Sequence, residues 1–109
     1  MQTISPSTLD EITRRLVDEF HPLKIILFGS QAAGEADEDS DVDIMVVAET
    51  DLPAQERFCA ASKSLADYPF AFDVIIKTPE EFRRGKSVVN HIVYFADKYG
   101  KVVYERRDG

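Results

Sequence analysis

The chain has 109 residues, which is the size of one ordinary domain, and we predict a single domain over residues 1–109. Hydrophobic residues make up 44% and charged residues 30%, a balance that excludes the disordered class. No apolar run approaches the roughly 20 residues that a membrane-spanning helix needs, so no membrane contact is expected. The formal net charge of −7 argues against direct nucleic-acid binding, because phosphate neutralisation requires clustered lysines and arginines.

The N-terminus and the cysteine content predict a cytoplasmic protein. Residues 1–4 have neither the basic start nor the apolar stretch of a signal peptide. A single cysteine, Cys59, cannot form an intramolecular disulfide, which fits a reducing compartment. Because Cys59 lies in an alanine-rich helical stretch, we expect it to be a small buried hydrophobe.

The charges are unevenly distributed along the chain. Residues 25–56 contain nine carboxylates and no lysine or arginine, whereas residues 83–109 contain seven basic residues and three acidic ones. Most of these charges are expected to be solvated surface. Carboxylates held close together at the start of a strand repel one another, and divalent cations relieve that repulsion.

The first half of the chain predicts one helix and two strands. A capping signal at Ser7 precedes apolar residues at helical spacing, which predict a helix to about Phe20. The apolar run 24–28 predicts a buried strand, followed by a short turn or helix around residues 31–34. Alternation over residues 41–48 predicts a second strand.

The second half predicts further helices and strands in alternation. Pro53 can open a helix with one apolar face, formed by Phe58, Ala61, Leu65 and Tyr68. Residues 70–77 read as a third strand, and Thr78-Pro79-Glu80-Glu81 has the form of a capped helix start. A last helix is marked by Val88, Ile92, Phe95 and Tyr99 and is closed by Gly100.

The order of elements indicates the fold class. Residues 101–105 complete the pattern as a short fourth strand. Helices that alternate with strands indicate an α and β domain with helices packed on a small sheet. The pattern alone does not decide whether that sheet is parallel or mixed.

The candidate chemistry lies where the first strand ends and the second begins. Gly29-Ser30 is followed by ten residues and then by Asp41-Val42-Asp43. Residues i and i+2 of a strand project from one face, so Asp41 and Asp43 should point together. If the second and third strands pair in register, Asp73 joins them on that face.

Three clustered carboxylates suit Mg²⁺ or Mn²⁺, which prefer hard oxygen ligands. Two such ions can stabilise the attacking and leaving oxygens of an in-line phosphoryl displacement. Gly29 allows close backbone approach to a phosphate, and the Ser30 hydroxyl can add a hydrogen bond. The residues therefore predict a phosphate cradle beside a metal platform.

Leu27-Phe28-Gly29-Ser30, the ten-residue spacing and Asp41-Val42-Asp43-Ile44 resemble the signature of the nucleotidyltransferase superfamily that includes DNA polymerase beta. The short length is similar to the minimal nucleotidyltransferases, or MNT proteins, many of which are antitoxins encoded beside a HEPN-domain ribonuclease toxin. The resemblance implies the nucleotidyltransferase fold, an α+β domain with a small mixed β-sheet and helices packed on it.

Carried over residue by residue, the resemblance implies that Gly29 and Ser30 bind the nucleotide triphosphate. It also implies that Asp41, Asp43 and Asp73 are the catalytic carboxylates and the ligands of two Mg²⁺ ions. The reaction it implies is transfer of AMP from ATP to a tyrosine of a HEPN RNase toxin. The toxin would then be the partner in a hetero-oligomer.

One departure from the family pattern leaves a second function open. Many relatives carry a basic residue soon after the Gly-Ser pair, where this chain has Gln31-Ala32-Ala33-Gly34. Lys77, Arg83, Arg84 or a partner could supply that charge. The alternative is a catalytically lapsed antitoxin that neutralises the toxin by binding alone. Small-molecule adenylylation is a weaker third hypothesis, because those relatives carry a further domain for the acceptor.

Overall fold

The computed structural model describes residues 5–29, 42–69, 71–88 and 91–106. In chain order its elements are α1 (Pro6–Phe20), β1 (Lys24–Phe28), β2 (Val42–Val47), α2 (Ala54–Ser64), β3 (Phe72–Lys77), α3 (Pro79–Gly85), α4 (Ile92–Tyr99) and β4 (Lys101–Glu105). No helix in these ranges combines the length and the apolar character needed to cross a membrane.

The four strands form one mixed sheet in the order β3-β2-β1-β4. β1 pairs antiparallel with β2 and with β4, whereas β2 pairs parallel with β3. The mixed α+β architecture predicted for this chain is therefore confirmed. The predicted bounds of β1 are those observed. β2 and β3 are shorter than the predicted ranges 41–48 and 70–77, because Ala48 and Ala71 lie outside the strands.

Helices cover both faces of the sheet and bury two separate apolar clusters. One cluster joins α1 and α2 to the sheet and includes Ile12, Leu16, Ile25, Ile44, Ala61, Leu65 and Val74. The other joins α3 and α4 to the opposite face and includes Ile26, Met45, Val47, Phe82, Val93 and Ala96. Because β1 and β2 are covered on both faces, their sequences are nearly continuous apolar runs.

The N-cap of helix α1 lies two residues before the predicted cap, Ser7. The Ser5 hydroxyl accepts a hydrogen bond from the Thr8 N–H at 3.2 Å, and Pro6 occupies the first helical position. The helix ends at Phe20 as predicted, because His21 adopts a left-handed conformation with φ 48°.

Helix α3 begins with the predicted capping box. The Thr78 hydroxyl accepts from the Glu81 N–H at 3.2 Å, and the Glu81 carboxylate accepts from the Thr78 N–H at 2.8 Å. Helix α4 is capped by His91, whose Nδ1 accepts a hydrogen bond from the Val93 N–H at 3.1 Å.

The burial predicted for Cys59 is wrong, and the last helix buries other residues than those that marked it in the sequence. Those marking residues are exposed by between 38% and 66%, and the first of them precedes α4: Val88, Ile92, Phe95 and Tyr99. Val93 and Ala96 are the residues of α4 that are buried instead. On α2, Phe58 is 49% exposed, and Cys59 is exposed rather than buried, because the helix turns Ala61 and Leu65 toward the sheet.

Candidate active site

One end of the sheet brings together the ends of three strands. β1 finishes at Phe28, which is followed at once by Gly29, while the parallel strands β2 and β3 both begin here. Phe28 pairs with Asp43 on one side of β2, and Asp43 pairs with Asp73 on the other side. Two carboxylates and a glycine therefore lie side by side at this end.

Asp43 and Asp73 share one face of the sheet, which is the face covered by α3 and α4. Met45 and Ile75, two residues further along each strand, pack into the cluster on that face. Asp43 is partly buried and Asp73 is exposed. Adjacent strands lie about 4.8 Å apart, so the two carboxylates are direct cross-strand neighbours of like charge. The condition under which Asp73 joins Asp43, pairing of the second and third strands in register, is therefore met.

Gly29 lies directly against the Asp43 carboxylate. Its φ of +75° is a left-handed value that side chains rarely adopt. A Cβ added there would overlap Asp43 Oδ2 and would lie 3.2 Å from Asp43 Cγ. Glycine is therefore required at this position, because its backbone passes the Asp43 carboxylate too closely for a side chain to fit.

Two predicted site residues fall outside the described residues. Ser30, predicted to bind phosphate, and Asp41, predicted to be a metal ligand, are not among them. Within the described ranges, no three His, Cys, Asp or Glu side chains gather as a possible metal site. Asp43 and Asp73 fit Mg²⁺ by the kind of oxygen they supply, and a third ligand from the protein stays a prediction.

Two of the cations suggested as substitutes for the missing basic residue, Lys77 and Arg84, have defined places in the fold. Lys77 ends β3, four residues beyond Asp73, which corresponds to about 13 Å along a strand. Arg84 pairs with Glu80 on exposed α3 at 3.0 Å. That a cation of this chain replaces the missing basic residue stays a prediction.

A second polar cluster, which the sequence patterns did not predict, lies beside β3. The Arg57 guanidinium on α2 pairs with the Glu81 carboxylate at 2.8 Å and donates to the Ile76 carbonyl at 3.2 Å. The Thr78 amide and then Arg57 hold the pKa of the Glu81 carboxyl below its ordinary value. The capping box reveals Glu81 in the sequence, but no local pattern reveals a partner 24 residues away.

Comparison with known proteins identifies the family. The sequence model of the family described as nucleotidyltransferase domain matches residues 9–100. The chain belongs to this nucleotidyltransferase family. The matched region includes the Gly29 turn and both described carboxylates, Asp43 and Asp73.

Two relatives of this nucleotidyltransferase are named as protein adenylyltransferases. Protein adenylyltransferase MntA of Thermococcus cleftensis is 34% identical over 95 residues, covering 80% of this chain and 95% of that protein. A protein of Methanocaldococcus jannaschii is 38% identical over 61 residues, covering 56% of this chain and 59% of that relative's length. The predicted relationship to minimal nucleotidyltransferases is confirmed.

A solved structure shares the fold. The nucleotidyltransferase superposes on a toxin–antitoxin structure solved with AMP-PNP, with a TM-score of 0.67 and 24% identity. The match covers 91% of this chain and 74% of that chain. The sheet with helices on both faces is therefore an architecture that this chain shares with that solved structure.

Proposed function

We propose that this nucleotidyltransferase is an antitoxin that transfers AMP from ATP to a tyrosine of a HEPN-domain RNase toxin in the cytoplasm. The observation that carries the proposal is the in-register pair Asp43 and Asp73 beside the side-chain-free Gly29. The adenylyltransferase names of two relatives and the toxin–antitoxin fold neighbour support the choice of reaction and partner.

Different residues of the chain would have different roles in this reaction. Gly29 and Ser30 would receive the triphosphate, and Asp41, Asp43 and Asp73 would hold two Mg²⁺ ions. The bound ions would neutralise charge on the phosphates and stabilise the attacking and leaving oxygens. Asp73, the exposed member of the described pair, is accessible to an acceptor from outside the sheet.

The proposed AMP transfer is an in-line displacement at the α-phosphorus of ATP. The acceptor oxygen forms a bond to the α-phosphorus, the bond from that phosphorus to the bridging oxygen breaks, and pyrophosphate leaves. The Asp73 carboxylate would accept the proton that the acceptor hydroxyl loses. The product is a toxin that carries a phosphodiester-linked AMP.

The direct test combines the chain, the toxin, Mg²⁺ and ATP and reads the intact mass of the toxin. We expect a mass increase by one or more AMP units, which Asp43→Asn and Asp73→Asn should each abolish. Asp18→Asn is the matched control, because Asp18 is an exposed acid on α1, on the far side of the sheet. It should transfer AMP like the unaltered chain.

The alternative of a lapsed antitoxin gives a different result in the same experiment. The stretch Gln31-Ala32-Ala33-Gly34 lacks the basic residue that many relatives carry. A toxin of unchanged mass in a stable complex with the chain would contradict the enzymatic proposal and would support neutralisation by binding alone.

A further inference from the structure

A groove runs along the outer edge of β3 and reaches the candidate active site. β3 is the last strand on its side of the sheet, and within the described residues it pairs with β2 alone. The groove has a volume of about 260 Å³ and lies between α2 and α3. Its lining includes Ala54, Phe58, Asp73, Val74 and Lys77.

The hydrogen-bond phase of β3 determines which backbone groups face this groove. The Val42 N–H donates to the Ala71 carbonyl at 2.8 Å, and the Ala48 N–H donates to the Lys77 carbonyl at 2.9 Å. Odd-numbered residues of β3 therefore point their backbone groups at β2, and Val74 and Ile76 point theirs at the outer edge. The bond from Arg57 to the Ile76 carbonyl agrees with this phase.

Arg57 covers the Ile76 end of the outer edge. Its side chain is only 13% exposed and is held by Glu81, so it covers the Ile76 carbonyl. The backbone groups of Val74 lie further toward Asp73, beyond the reach of that bond. An outer row of strand N–H and C=O groups is a template for pairing with another extended chain.

Asp73 lies on this edge strand, so a strand added to the edge would bring its side chains close to the Asp73 carboxylate. A strand paired with β3 would lie about 4.8 Å from it, with alternate side chains on the face that carries the Asp73 carboxylate. A hydroxyl on one of those side chains would be delivered beside Asp73, with Asp43 one strand further into the sheet. The groove also changes charge along its length, from Asp73 at one end to Lys77 at the other.

We propose that the β3 groove is the acceptor site: an extended segment of the acceptor protein adds to the edge of β3 and places its hydroxyl side chain beside Asp73. The inference rests on the proposed function, because it assigns the binding mode of the acceptor in that reaction. The charge gradient favours a segment with an acidic or amide side chain at the Lys77 end.

Ala54 allows the groove to be filled without altering the core. It is exposed at the start of α2 and lines the groove, so Ala54→Trp should fold normally, which a thermal melt checks. We expect the rate of AMP transfer to the toxin to fall on the order of 10²-fold. ATP affinity, measured by calorimetry with Mg²⁺, should stay at the value of the unaltered chain. Ala66→Trp, at an exposed alanine outside this groove, is the matched control and should leave both quantities unchanged.

The outcomes separate the two proposals. Transfer at the normal rate by Ala54→Trp would overturn the groove assignment and leave the adenylyltransferase function standing. Absence of any transfer by the unaltered chain would overturn both. A loss of ATP affinity in Ala54→Trp equal to the loss of transfer would also contradict the groove assignment, because the groove would then serve the nucleotide.

A crosslinking experiment tests the binding mode directly. A photoreactive benzoyl-phenylalanine at position 58 would replace a half-exposed ring that already lines the groove. We expect it to crosslink to toxin residues within about five positions of the adenylylated residue, the length of an ordinary strand. Crosslinks confined to toxin segments remote from the modified residue would contradict strand addition.

Discussion

Asp43 and Asp73 lie directly opposite each other across the parallel step between β2 and β3, and their side chains project from the same face. Like charges in directly opposed cross-strand positions destabilise a sheet, by up to about 1 kcal/mol. The pair is therefore unfavourable for folding by itself, and a bound cation would remove the penalty.

Neutralising one member of this pair should stabilise the metal-free protein. We expect Asp73→Asn to raise the free energy of unfolding by about 0.5 kcal/mol in a chelating buffer. Mg²⁺ should raise the melting temperature of the unaltered chain and have a smaller effect on Asp73→Asn. Thermal melts with and without Mg²⁺ measure both effects. An equal Mg²⁺ response in the two proteins would show that Asp73 does not take part in metal binding.

The contact between Gly29 and Asp43 predicts an energetic coupling. Gly29→Ala should cost about 2 kcal/mol of stability, from the left-handed φ and from the overlap with the Asp43 carboxylate. In an Asp43→Ala background the overlap is absent, so the cost should fall to about 1 kcal/mol. Urea unfolding of the four proteins gives the coupling energy. A cost that is the same in both backgrounds would mean that φ alone makes glycine necessary.

Glu81 should contribute to the pH dependence of stability. Its pKa is lowered in the folded protein, so its contribution is present above its unfolded pKa and is lost as the pH falls through the folded value. Glu81→Gln keeps a side chain that can accept from the Thr78 N–H but removes the charge that pairs with Arg57. We expect its urea midpoint to fall less than that of the unaltered chain between neutral pH and about pH 3.

Glu80→Gln is the control for this measurement. Glu80 lies next to Glu81 in the first turn of α3, and it forms an ion pair with the exposed Arg84. The prediction for Glu81 is contradicted if the two variants lose stability to the same extent on acidification.

The two faces of α4 should respond differently to substitution. Val93 is fully buried, and Val93→Ala should cost about 2 kcal/mol. Phe95 is 42% exposed, so Phe95→Ser should change the free energy of unfolding by less than about 0.5 kcal/mol, although it removes a far larger side chain. Chemical denaturation of both variants checks the contrast. A greater loss in Phe95→Ser would mean that the aromatic face is covered in the folded protein.

Local signals made much of the fold predictable. β1 has the predicted bounds because an uninterrupted apolar run is followed by a glycine, and the start of α3 is specified by its capping box. The face of α4 was not predictable from periodicity, because large aromatic residues and small apolar residues form competing stripes. α4 approaches α3 so closely that a Cβ on Gly85 would lie 2.8 Å from Val93, and such close packing favours the small residues.

Part of the candidate site was also predictable from local sequence signals, and part was not. Alternation along the strands placed Asp43 and Asp73 on one face, and the parallel register then brought them together. The Arg57–Glu81 pair depends on how α2 and α3 pack around the edge of β3, which no sequence window contains. Hence the acids were predictable and the groove beside them was not.

Asp43 and Asp73 differ in how firmly the surrounding structure holds them. β2 has a strand on each side and an apolar cluster on each face, and Asp43 is its one residue that is not buried. The backbone amides of β2 should therefore be among the slowest in the protein to exchange with deuterium. Asp73 is on an edge strand and exposed, where small displacements disturb fewer contacts. We therefore expect Asp73 to be displaced more readily than Asp43 when a ligand binds at this end of the sheet.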